Sequence, residues 1–203
     1  MSITTNSAKL TPNFSRFTRI GRPDFSTKKE MKNISQNHSL RLLFAEQVHD
    51  QVVKHVQSSG LPQVEDYLVD LLLSFIHTER IFAVRDSVGK PISSVYEMLA
   101  EADVRLNADS FDRERAVHKH IGDYILFWSG VYPDFLNKLK LQPGWDLACN
   151  YMEQGRNSYH LVSTFDHPPY TADSALFKTM SEIYPACSFV LKQVAEDNPF
   201  YAA

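Results

Sequence analysis

Glycine is scarce in this chain, with 7 among 203 residues. Tight hairpins draw on glycine for positive φ, so the scarcity argues against a turn-rich sheet protein. Cysteine is scarcer still: Cys149 and Cys187 are the only two. Two thiols 38 residues apart make no disulfide framework and fit a reducing compartment. Long apolar runs are missing. The longest stretches, LVDLLLSFI and YILFW, are too short or too interrupted to span a bilayer. No apolar signal region opens the sequence. There is no glycine-rich phosphate loop, nucleophile elbow or dinucleotide fingerprint, and no Cys-x-x-Cys or His-Glu-x-x-His. Val88-Gly-Lys-Pro91 is a turn, not a P-loop. A soluble cytoplasmic protein is the expectation, without the usual signatures of nucleotide or zinc chemistry.

What is present supports one sizeable core. Apolar residues make up 43% of the chain and aromatics 12%, enough for a single domain of this length. Charge is uneven. Residues 1–38 hold 7 Lys/Arg against 2 Asp/Glu, whereas 39–203 hold 14 against 22. Residues 1–38 are rich in Ser, Thr, Asn and Lys and show no sustained period. They read as a flexible or loosely docked basic tail. Phe14, Phe17 and Ile20 alternate there with Arg16, Arg19 and Arg22, and the first 23 residues contain no acid. An organellar transit peptide has that composition, as does an arm that touches an anionic partner.

From Ser39 the apolar spacing turns helical. Leu40, Leu43, Phe44, Val48, Val52 and Val56 predict a helix from Ser39 to Ser59. A second should run from Pro62 to Phe82 on Val64, Leu68, Leu71, Leu72, Phe75 and Phe82. A third spans Ser93 to Leu106. A fourth, capped by Asp109 or Ser110 and ended by Gly130 and Pro133, is apolar nearly all round in its later half, so it should be central. A short helix is expected over 134–139, a longer one from Trp145 to Phe165, and a last from Thr171 to Glu196 with a kink at Pro185. The fold class is therefore all-α: one irregular bundle of about six or seven helices over 39–203, with the basic tail outside it.

The polar residues that enter this apolar pattern are the candidates for a site. Helical spacing points Glu79, Asp123 and Arg156 inward. A buried ion is costly unless paired, and an arginine fork satisfies one or two carboxylates. The expectation is a buried polar centre in which Arg156 pairs with Asp123, Glu79 or both, with Tyr159 adding a hydroxyl. His120 lies three before Asp123, hence beside it.

Two chemistries suggest themselves on the same helix. Glu114 and His118 stand at i, i+4, close to His120 and Asp123. Carboxylate–imidazole sets in bundles hold divalent metals, so Glu114, His118, His120, Asp123 and Glu79 are the candidate ligands, although this helix carries no Glu-x-x-His. The catalytic candidates are His118, His120, Asp123 and Arg115. Arg113-x4-His118 and Arg115-x4-His120 resemble the Arg–His pattern of all-helical ribonucleases of the HEPN superfamily, over residues 113–120 alone. That resemblance implies a histidine general base and an arginine holding the phosphate. The acidic body sits poorly with a large RNA face. The leading expectation is thus a non-catalytic helical domain that binds a protein partner, another copy of itself, or a small ligand. A metal-binding bundle and a HEPN-like ribonuclease are the alternatives.

Overall fold

The computed structural model describes residues 30–56, 61–92, 94–103, 106–134 and 150–198. Among these the chain forms eight helices and no strand. They are α1 (Glu30–His55), α2 (Pro62–Phe75), α3 (Thr78–Ile81), α4 (Val95–Ala102), α5 (Phe111–Val131), α6 (Tyr151–Ser163), α7 (Thr171–Glu182) and α8 (Tyr184–Glu196). Residues 1–29 of the expected tail, the helix at 134–139 beyond its first residue, and Trp145 and Cys149 lie outside the described residues.

Three boundaries differ from the periodicity reading. Helix α1 starts at Glu30, nine residues before Ser39, so Ser39 is not its cap. The apolar stripe marks where packing begins, and a polar helix can extend ahead of it. The long second helix stops at Phe75; the chain turns at Ile76-His77 and resumes as the four-residue α3. The last helix is two. Ile183, at φ −104° and ψ 19°, separates α7 from α8, and Pro185 sits in the first turn of α8. There its missing N–H costs nothing, because a first-turn donor has no intrahelical partner.

Local chemistry fixes the other starts. Ser94, Ser110 and Asn150 are extended residues whose side chains accept the backbone N–H of Glu97, Arg113 and Glu153. Each is an N-cap that satisfies one orphan donor. The 85–91 turn closes on itself: Asp86 Oδ1 accepts from the N–H groups of Val88 and Lys90, and Gly89 takes φ +83°.

Helix α5 is the axis. Residues 121–128 are buried without interruption, because α6, α8, α4 and α2 pack around it. Helix α1 lies against α2 and α8 through Phe44, Val48 and Val52. Gln51 donates to Asp197 (3.0 Å) and Asn198 donates to Gln47 (3.2 Å), tying the end of α8 to α1. Tyr124, Tyr159 and Tyr184 are fully buried, and burying a large side chain of this kind contributes roughly 1.5–3 kcal/mol each.

Close approach at α5 depends on small residues. A Cβ at Gly122 would overlap the Tyr159 ring from α6. One at Gly155 on α6 would overlap the Tyr184 hydroxyl, which donates to the Gly122 carbonyl at 2.8 Å. Gly122→Ala should therefore destabilise the protein by about 1–3 kcal/mol through overpacking, despite the ~1 kcal/mol that alanine gains over glycine in a helix. Denaturant unfolding measures it; a stabilised variant would show that α5 and α6 are not in this contact.

Candidate functional site

The Asp123 side chain leaves α5 toward α2 and α6 and is almost entirely buried. Two tyrosines meet it. Tyr67 of α2 donates to Oδ1 at 2.5 Å, and Tyr159 of α6 donates to the same oxygen at 2.6 Å. Lys119, one turn earlier on α5, donates to Oδ2 at 2.8 Å. Charge-assisted bonds of this kind are about twice as strong as neutral ones. The Lys119 ammonium also lies 5.0 Å from the Tyr67 ring centre and 5.8 Å from that of Phe177. Phe177 of α7 packs on both tyrosine rings, at 5.3 and 5.2 Å.

These surroundings hold protons in place. Burial, with the Asp123 charge beside them, pushes the Tyr67 and Tyr159 hydroxyls well above the usual phenol range. They stay neutral donors. His120 bonds through Nε2 to the Ile81 carbonyl at 3.2 Å. A carbonyl only accepts, so Nε2 carries the proton. Burial lowers the His120 pKa, against the pull of Asp123 and of that carbonyl. Burial lowers His118 as well; its Nδ1 lies 3.3 Å from Ser158 Oγ on α6.

The polar centre inferred from periodicity is only partly assembled. Asp123 and Tyr159 meet, but Arg156 and Glu79 are both exposed and take no part. Arg156 was aligned with Met152 and Tyr159, whereas α6 turns Tyr151, Gly155, Ser158, Tyr159 and Val162 inward. Small residues mark that face because they admit the neighbouring helix, and hydropathy weighs them lightly. Glu79 was placed by continuing α2 to Phe82, and the corner at Ile76-His77 breaks that register. Tyr67 and Lys119 were missed. The i, i+4 spacing of Lys119 and Asp123 was the available signal.

The other candidates diverge. His118 faces α6 and His120 faces α3, two residues and thus half a helical turn apart. Arg115 is buried, donates to Asp173 at 2.9 Å and stacks 3.9 Å over the Tyr170 ring. Arg113 donates to the Arg85 carbonyl. Neither arginine joins a histidine, so the arrangement drawn from the HEPN resemblance is not brought together. Glu114 is half-buried in the first turn of α5. Among the described residues, no group of three His, Cys, Asp or Glu side chains is placed to hold a metal ion. Cys187 is buried, and its thiol is pushed up to about 12 by that burial, which removes it as a nucleophile near neutral pH.

Beside Asp123 opens a cleft of about 280 Å³ between α2, α3 and α5. Tyr67, Leu71, Phe75, Arg80, Lys119 and His120 line it, with Asp123 at its wall. A second hollow, of about 400 Å³, lies along the 85–91 turn. Several of its polar groups are already engaged within the chain: Asp86 by two backbone N–H groups, Arg113 by the Arg85 carbonyl, Asn107 by the Ala100 carbonyl. No helix among the described residues is long and apolar enough to cross a membrane. Comparison with protein-family models, curated proteins and solved structures finds no match to this chain.

Removing Asp123 leaves two buried hydroxyls and one ammonium without their acceptor. Asp123→Ala should cost about 3–5 kcal/mol, and Tyr159→Phe about 1–3 kcal/mol. The double variant should lose less than the sum, since both act on one network. Arg156→Met, on the exposed side of α6, should change stability by no more than about 0.5 kcal/mol. Chemical denaturation of the four proteins measures these values, and additive losses would mean the tyrosine and carboxylate do not interact.

The buried histidines give a pH dependence of definite sign. Their folded pKa values lie below 6.5, so the unfolded chain binds protons more readily on acidification. Their contribution is fully present above 6.5 and is lost as pH falls through the lower folded values. His49, raised by its bond to Glu65, acts in the opposite sense from an exposed position. Unfolding midpoints should drop between pH 7 and 5, and a His118→Gln/His120→Gln protein should show a flatter profile over that range. Equal slopes in both proteins would mean that neither ring is held neutral by burial.

Proposed function

We propose that this chain is a cytoplasmic helical domain that binds a small ligand, without transforming it, in the cleft between α2, α3 and α5. The carrying observation is the cleft itself, lined by apolar Leu71 and Phe75 together with Arg80, Lys119 and His120. Small-molecule sites combine apolar walls with a few convergent polar groups in this way. Its size, near the lower end for such sites, suits a small molecule rather than a nucleotide.

Binding without chemistry is supported by how the polar groups are used. Asp123 is occupied by two phenols and an ammonium. Lys119 is held by Asp123, and the His120 Nε2 proton by the Ile81 carbonyl. No nucleophile–base pair of the kind covalent catalysis uses stands in the cleft. The cytoplasmic assignment is supported by the two thiols, which fit a reducing compartment.

Ala116 is an exposed residue of α5 that lines the cleft, so a larger side chain there fills space without disturbing the core. Phenol, indole, benzamide and benzoate at millimolar concentration should each be tested by amide NMR on the wild-type chain and on Ala116→Phe. At least one should give saturable shifts centred on residues 71–83 and 116–123, lost in the filled variant. Absence of saturable shifts, or shifts that persist in Ala116→Phe, would remove the cleft as a site.

A further inference from the structure

Resting on the reading of the cleft as a ligand site, we infer that its ligand is a small monocarboxylate with a flat apolar body, its anion held by Arg80 and its body laid between Phe75 and Ala116. Three features lead there: local charge, the free valence of one side chain, and the shape of the walls.

Residues 39–203 carry a clear excess of acids, 22 against 14 bases, whereas the charges lining the cleft balance, Arg80 and Lys119 against Asp70 and Asp123. Asp70 is bound by Arg41, and Asp123 by Lys119 and two tyrosines. Of the four lining charges, that of Arg80 is the one without a partner among the described residues. That side chain is exposed and makes no hydrogen bond or ion pair with any described residue, and the cleft runs past it. A guanidinium is a planar fork that matches a carboxylate with two parallel bonds. That single unpartnered guanidinium selects the anion. A monoanion balances it, whereas a phosphate dianion would bring a second charge with no partner, facing Asp70 and Asp123.

The walls set the rest. Phe75 and Leu71 form the apolar side, and the short side chains of Ala83 and Ala116 leave the width. Among the described residues, His120 hydrogen-bonds through Nε2. Its Nδ1 is therefore a lone-pair acceptor in the neutral ring, able to take a hydroxyl or N–H from the ligand.

Benzoate and benzamide share shape and differ in charge, which makes them the test pair. Each is titrated into the wild-type chain and into Arg80→Gln, with amide shifts at 71–83 and 116–123 as readout. Arg80 is exposed, so the variant is expected to fold. Benzoate should bind saturably, lose about tenfold in affinity in Arg80→Gln, and weaken with added salt. Benzamide should bind at least about tenfold more weakly and be indifferent to the substitution. Equal binding of the two probes, or benzoate binding untouched by Arg80→Gln, would overturn the carboxylate assignment while leaving the cleft a site. If neither probe moves a cleft resonance in a chain whose cleft does bind phenol or indole, the carboxylate assignment also falls. Silence from every probe overturns the cleft reading as well.

Discussion

A carboxylate removed from water has to recover its hydration from the protein, and Asp123 does so from three directions. The effective cost of burying such an ion is several kcal/mol. Tyr67, Tyr159 and Lys119 offset it with three short bonds. Two of those donors belong to other helices, so the charge can be satisfied only when α2 and α6 sit at one distance and rotation relative to α5. Phe177 then fills the space behind the two phenol rings and brings α7 into the same unit. Four helices are positioned by one ionised group and the rings around it. Directional bonds add a register that apolar packing alone leaves loose.

That arrangement needs helices closer than ordinary side chains allow. Gly122 gives room for the Tyr159 ring, and Gly155 for the Tyr184 hydroxyl. The two contacts are linked, because Tyr184 donates to the Gly122 carbonyl itself. The break at Ile183 serves the same end. A continuous helix through 171–196 would hold Phe177 and Tyr184 to a common axis. With the chain turned at Ile183, Phe177 reaches the Asp123 cluster from α7 while Tyr184 reaches the α5–α6 crossing from α8.

Much of this frame is legible in the residues, and the illegible parts have identifiable causes. The span and central place of α5 follow from its near-continuous apolar run and its Ser110 cap. The inward position of Asp123 follows from the same period. Arg156 and Glu79 went astray for different reasons. On α6 the inward face is marked by Gly155 and Ser158, and hydropathy gives such residues little weight although they let a neighbour approach. On α2 the spacing continues beyond Phe75 while the helix does not, and nothing like proline or glycine marks the corner at Ile76-His77. Tyr67 sat in plain view, three after Val64 and four before Leu71. A tyrosine at helical spacing is normally core, and its hydroxyl gains a meaning only once a partner from another helix is known.

The corner that spoiled the assignment of Glu79 also makes the cleft. A helix continued to Phe82 would carry residues 76–82 along the α2 axis. The turn instead swings Arg80 and Ala83 across from Ala116, Lys119 and His120. A helix as short as α3 leaves its last carbonyls without intrahelical donors, and His120 supplies one to Ile81. That bond fixes which imidazole nitrogen keeps its proton, and burial keeps the ring from taking another. A neutral His120 adds no charge to the cleft. Arg80 then remains the lining cation without a partner among the described residues, and it is the corner at Ile76-His77 that brings it to the cleft.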